Sequence, residues 1–118
     1  MVKEDAIMAQ ITYDYFERVD IRVGKIIQVE DFPKARKPAY KLWIDFGILG
    51  VNKSSAQITK LYSKDDLMGR LIIAVINFPP RQIADFKSEV LVLGVVLDNG
   101  EVVLVQPGRD VPPGKRVL

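Results

Sequence analysis

Apolar and polar residues alternate most cleanly over residues 40–46. Tyr40, Leu42, Ile44 and Phe46 fall on one face of an extended chain; Lys41, Trp43 and Asp45 fall on the other. That period of two predicts a half-buried strand. Residues 21–29 are rich in β-branched side chains and predict a strand before it, with Gly24 near its centre as the place for a bend or bulge. Residues 51–58 form a more polar third strand. Residues 70–77 and 90–97 are almost continuous apolar runs, the pattern of strands buried on both faces. Asp98-Asn99-Gly100 is a turn signal joining the second of these runs to residues 101–106. Pro107, Gly108, Pro112, Pro113 and Gly114 make an irregular tail, and residues 116–118 are long enough for a short terminal strand.

Two short helices interrupt the strands. Residues 12–18 suit one, with Thr12 as its cap and Tyr15, Phe16 and Val19 on its apolar side. Residues 63–68 suit the other, with Ser63 as cap and Asp65 and Asp66 in the first turn, where a helix end favours negative charge. Adjacent helical residues do not share a face, so this acidic pair reads as structural. The order of three strands, a helix and two more strands predicts an all-β fold, a five-stranded OB-fold Greek-key barrel. Its short helix lies between strands 3 and 4, and a further helix precedes the barrel. Gly24 would relieve the curvature of the long first strand.

Composition narrows the chemistry. A chain of 118 residues is one domain with room for one core. It has no Cys and no His. It therefore has no disulfide, thiolate metal site, thiol nucleophile or imidazole base of its own. Ser-His-Asp and Cys-His arrangements are excluded within one chain. A Ser–Lys pair at Ser55 and Lys53 is conceivable, but nothing beside it suggests an oxyanion hole. The expectation is a binding protein, not an enzyme, with no cofactor and no metal site. No stretch reaches the roughly 18 apolar residues of a membrane span. The first ten residues, with Glu4 and Asp5, do not resemble a signal peptide, so a cytoplasmic protein is expected.

The net charge of +2 conceals an uneven distribution. Between residues 34 and 64 lie Lys34, Arg36, Lys37, Lys41, Lys53, Lys60 and Lys64 against Asp45 alone, which gives this stretch +6 and the remainder −4. Segregated basic charge suits an anionic partner; an ordinary solvated surface explains the same clustering.

Particular residues carry a family resemblance. Asp20-Ile21-Arg22-Val23-Gly24-Lys25-Ile26 resembles the opening strand of the tRNA-binding domain family. Asp66-Leu67-Met68-Gly69-Arg70 resembles its helix-to-strand junction, and Asn77, Arg81, Ser88 and Glu89 fall where the family has its Asn…Pro-Arg…Ser segment. Within that family, residues 34–47 (KARKPAYKLWIDFG), 53–59 (KSSAQIT) and 88–94 (SEVLVLG) resemble the CsaA-type export-related chaperones. The likeness runs from about residue 15 to residue 118. Where tRNA-binding members continue Ser-x-Gly-Met, this chain has Ser88-Glu89-Val90-Leu91. The resemblance implies a homodimer, with residues 1–14 an N-terminal extension and 15–118 the barrel domain. Residues 8–18 and 107–118 would build the dimer contact. It also implies binding of precursor or unfolded polypeptides and translocase components, or of tRNA on the same face.

Candidate ligand contacts follow from residue type and placement. Arg36 and Lys37 sit in a loop bracketed by Pro33 and Pro38, ready for phosphates or acidic peptide. Lys53, Ser55 and Gln57 lie on a polar strand with donors and acceptors for a base edge or a peptide backbone. Phe78, Arg81 and Phe86 fall in a long loop expected between two buried strands, where the aromatics either bind a ligand or cap the barrel end. Trp43 points away from Leu42 and Ile44, onto a binding face or a dimer partner. Asn77, Ser88 and Glu89 complete the candidate set as polar contacts.

Overall fold

The computed structural model describes residues 8–118. Residues 1–7, half of the expected N-terminal extension, lie outside the described residues. Helix α1 spans Tyr13–Glu17 and α2 spans Lys64–Leu67. The strands are β1 (Ile21–Asp31), β2 (Tyr40–Asp45), β3 (Val51–Ala56), β4 (Leu71–Val75), β5 (Arg81–Ile83), β6 (Phe86–Ser88), β7 (Leu91–Val92), β8 (Gly94–Val96) and β9 (Val102–Leu104).

The long strand β1 organises the barrel because it pairs twice. Its first half runs antiparallel to β4, from Ile21 opposite Val75 to Lys25 opposite Leu71. Its second half runs antiparallel to β2, from Lys25 opposite Asp45 to Asp31 opposite Tyr40. The main sheet has the order β3-β2-β1-β4-β7 and is all antiparallel. The C-terminal tail occupies the edge that β2 leaves on the first half of β1. There Val23 donates to Lys115 O, and Gly114 and Val117 donate to Val23 O and Ile21 O. The all-β barrel expected from the alternation is the fold found.

The alternation in β2 sorts inside from outside. Tyr40, Leu42, Ile44 and Phe46 enter the core with Ile26, Ile72, Ala74 and Leu67. Leu67 closes one end of the barrel from α2, which Ser63 and Asp66 fix by a reciprocal capping box. Hydrogen bonding to Ser63, first through its backbone N–H, holds the Asp66 carboxyl below its ordinary pKa.

Three expectations need correction. The bulge in β1 lies between Ile26 and Gln28, not at Gly24. Gly24 is small because the core passes close to it: a Cβ there would meet Ile44 Cγ2 at 2.5 Å and Phe46 Cε1 at 2.6 Å. The apolar run 90–97 is not one buried strand. Val90 is buried, β7 pairs with β4, and the chain then leaves the sheet to form the separate β8–β9 ribbon, where Val95 and Val96 are exposed. The segment expected as a loop from Phe78 to Phe86 contains a hairpin, β5 paired with β6.

Substituting Gly24 with Ala should overpack the core and destabilise the fold by about 1–3 kcal/mol. A urea unfolding curve with an unchanged midpoint would contradict this packing.

Candidate ligand-binding groove

The barrel closes between β3 and the segment after β6, and side chains complete the closure. Glu89 N–H donates to Lys53 O at 2.8 Å, and Lys53 N–H donates back to the Glu89 carboxylate at 2.8 Å. Ser54 Oγ, on the one buried polar side chain among the described residues, donates to Val90 O at 2.9 Å. Ser55 N–H donates to Ser88 Oγ at 3.0 Å. Edge N–H groups that a regular ladder would satisfy are met by side-chain oxygens.

This closure folds the β5–β6 hairpin over the outer face of β2 and β3. Phe86 is only 6% exposed and packs edge-on to Phe32 (5.4 Å between centroids) and Trp43 (5.9 Å). With Ala39 they form a second small core, against which Ala35 and Ile83 pack. Lys41 Nζ lies 5.0 Å from the Phe32 ring centre and 5.3 Å from that of Phe86, and Lys53 Nζ lies 5.2 Å from Phe86. These ammonium groups rest on the electron-rich ring faces. The outward-pointing Trp43 is thus covered by its own chain's hairpin. The loop between β1 and β2 is pinned at both ends by buried Phe32 and Ala39, which leaves Lys34, Arg36 and Lys37 exposed at its middle.

Between that loop, the end of β3 and the hairpin lies a cleft of about 800 Å³. Lys34, Arg36, Lys37, Ser55, Gln57, Arg81 and Ile83 are among its lining residues. A second cleft of about 440 Å³ is more apolar, lined by Phe78, Pro79, Ile83, Val90 and Leu91 with Ser55, Arg81, Ser88 and Glu89. Ser55, Arg81 and Ile83 line both, so the two form one groove with a basic end and an apolar end. Phe78 is 53% exposed at the apolar end. Arg36, Lys37 and Arg81 pair with no carboxylate among the described residues. Lys34 Nζ does, donating to Asp85 Oδ2 at 2.9 Å, and this bond holds the Asp85 carboxyl below its ordinary pKa.

The groove brings together eight candidates: Arg36, Lys37, Ser55, Gln57, Phe78, Arg81, Ser88 and Glu89. Trp43, Lys53 and Phe86 lie in the small core behind the hairpin. Asn77 lies elsewhere: its side chain accepts from Asp20 N–H at 2.9 Å and donates to Arg18 O at 2.7 Å, tying α1 to the barrel. Ser88 and Glu89 line the groove but already spend an oxygen each on β3. Sequence reasoning missed Lys34, Ile83, Asp85 and Leu91. Lys34 belonged to the basic run; the other three acquire their place only through the hairpin and the strand pairing.

The fold and the two clefts define a small OB-type barrel with a groove along one side. A family profile described as a putative tRNA binding domain matches residues 21–116. The structure is similar to the CsaA chaperone of Bacillus anthracis str. Ames (TM-score 0.89, 50% identity), covering 93% of this chain and 100% of that one. It is also similar to the CsaA chaperone protein of Picrophilus torridus (TM-score 0.86, 55% identity), covering 92% of this chain and 100% of that one. The sequence is 34% identical over 116 residues to the methionine–tRNA ligase of Thermococcus onnurineus. That match takes in 98% of this chain but only 15% of the ligase. The chain belongs to the tRNA-binding domain family and is of CsaA type.

Removing the Glu89 acceptor should weaken the closure. Glu89→Ala is expected to cost about 1–3 kcal/mol because it strands the Lys53 N–H. Glu89→Gln, which keeps an acceptor oxygen, should cost less. Equal unfolding midpoints for the two variants would contradict the role of this hydrogen bond.

Proposed function

We propose that this protein is a homodimeric cytoplasmic chaperone of secretion, holding unfolded or precursor polypeptides in the groove between the β1–β2 loop and the β5–β6 hairpin. The observation that carries the reading is the continuity of an apolar cleft with a basic one through Ser55, Arg81 and Ile83. An extended polypeptide offers both chemistries within a few residues. An apolar side chain would enter beside Phe78 and Leu91. Acidic residues further along would meet Arg81, Arg36 and Lys37. Ser55 and Gln57 would bond the peptide backbone. Binding and release need no covalent step, which suits a groove whose functional groups are cations, amides, hydroxyls and apolar surface. The CsaA proteins it resembles are described as chaperones. Translocase components are proposed partners by the same likeness.

Binding of tRNA or another structured RNA is the second reading. Its support is the family profile together with three cations that pair with no carboxylate among the described residues. Arg36, Lys37 and Arg81 would contact the phosphate backbone, which positions an RNA without reading its sequence.

A homodimer would place two such grooves on one particle and raise the effective concentration of the second contact. Support comes from α1, which buries none of its residues, and from Met8, Ile11, Tyr13 and Tyr15, all exposed. The C-terminal tail lies beside them, where Arg116 donates to Glu17 O at 2.7 Å.

Two measurements test these readings. In fluorescence anisotropy, Phe78→Ala should weaken binding of an unfolded precursor by about tenfold, the loss of one well-placed apolar contact. In the same assay, Arg36→Glu/Lys37→Glu should weaken binding of a precursor segment that carries acidic residues and spare one that carries none. Tight tRNA binding with a salt slope that the double variant reduces by about 1.5, and no precursor binding, would favour RNA instead. Light scattering should give twice the 13.3 kDa chain mass; the single-chain mass would contradict the dimer.

A further inference from the structure

The β5–β6 hairpin turns through two residues, Ala84 and Asp85, between the paired Ile83 and Phe86. Ala84 has φ 52°, and it alone among the described non-glycine residues is left-handed. A residue with a Cβ holds that conformation only where its surroundings impose it, and such sites gather at functional places. Here the turn sets Asp85 against Lys34 across the mouth of the basic cleft, which both Lys34 and Ala84 line. Each partner is anchored from behind. Phe86 follows Asp85, Phe32 precedes Lys34 by two residues, and the two rings pack against each other. The charged groups themselves face solvent, with side-chain exposures of 68% for Lys34 and 53% for Asp85. An exposed pair of this kind is weak and exchanges readily.

Charge makes the contact informative. The other cations lining the cleft, Arg36, Lys37 and Arg81, pair with no carboxylate among the described residues. The one anion held at its mouth is a carboxylate of the protein itself. We infer that Lys34 is the seat of a ligand carboxylate and that Asp85 is the resident carboxylate a ligand displaces. Lys34 then favours acidic polypeptide segments over neutral ones, and the turn tempers that preference by holding a competing carboxylate on it. This deepens the polypeptide reading and rests on it.

The exchange balances in charge. The ligand carboxylate takes the Lys34 hydrogen bond, and Asp85 turns out to water at little cost because it is already half exposed. The incoming group also enters the cleft that Arg36 and Arg81 line. A neutral segment cannot displace Asp85 and leaves the pair closed. A phosphate chain is less suited, because its closely spaced charges would pass both Asp85 and the Glu89 carboxylate beside the adjoining apolar cleft.

The test uses two labelled peptides of equal length and apolar content, one carrying two Asp residues and the other Asn in their place. Asp85→Asn should tighten the acidic peptide about two- to fivefold and leave the neutral one unchanged. In a Lys34→Gln background the gain should vanish. Equal tightening of both peptides, no tightening of either, or a gain that survives Lys34→Gln would overturn the inference. The last would mean that Asp85 acts through the general field and not as an occupant of Lys34. Binding of both peptides with no effect of Asp85→Asn would sink this inference and leave the polypeptide reading standing. A second readout is independent of chaperone clients: the Asp85 side-chain carboxyl carbon observed by NMR during titration with tetraglutamate. It should move toward its position in the Lys34→Gln variant. A resonance that stays in place through the titration overturns the exchange. A shift in a protein that binds no unfolded precursor would keep the exchange and remove the chaperone reading.

Discussion

The exchange of hydrogen bonds between Lys53 and Glu89 shuts the barrel, and the rest of the molecule is arranged around it. Strand β3 is an edge that needs partners for its N–H groups. The segment 88–90 meets the Lys53 and Ser55 N–H groups with the Glu89 carboxylate and the Ser88 hydroxyl, donates the Glu89 and Val90 N–H groups to Lys53 O, and takes the buried Ser54 hydroxyl onto Val90 O. A continuous ladder would have laid this segment flat along β3. Pairing through side chains leaves the backbone before it able to rise into the β5–β6 hairpin. The hairpin buries Phe86 against Phe32 and Trp43 and leaves the groove along its flank.

The same constraint joins stability to binding. Ser88 accepts the Ser55 N–H through its hydroxyl and also lines the apolar cleft. Glu89 closes the barrel and borders the apolar cleft. A substitution at either position changes the frame and the surface together. Loss of binding at Ser88 or Glu89 is therefore interpretable only beside an unfolding measurement. Phe78, Arg36, Lys37 and Arg81 have no such double duty: all four are exposed, and among the described residues no hydrogen bond ties their side chains to the frame.

What could be read in advance followed local pattern. The alternation of β2 placed Tyr40, Leu42, Ile44 and Phe46 in the core without knowledge of their partners, because a pleated strand sorts its faces by itself. Ser63, Asp65 and Asp66 revealed α2 because a cap and its first-turn acids lie within four residues. The hairpin was illegible: Arg81-Gln82-Ile83 and Phe86-Lys87-Ser88 are too short to show a period, and Ala84-Asp85 lacks the glycine that usually marks a tight turn. Residues 90–97 misled because apolar content does not say how many neighbours a strand has. Val95 and Val96 sit on a two-stranded ribbon with an open face. The basic loop was legible as charge, whereas its meeting with Arg81 depends on a hairpin that only long-range packing creates.

The most direct test of the account is to map the bound ligand onto the protein. Amide resonances of the labelled chain would be followed while an unfolded precursor is added. The account expects the largest shifts in residues 34–37, 55–57, 78–85 and 88–91, the walls of the one groove. Shifts concentrated on the β8–β9 ribbon or on β1, with the groove unmoved, would contradict it.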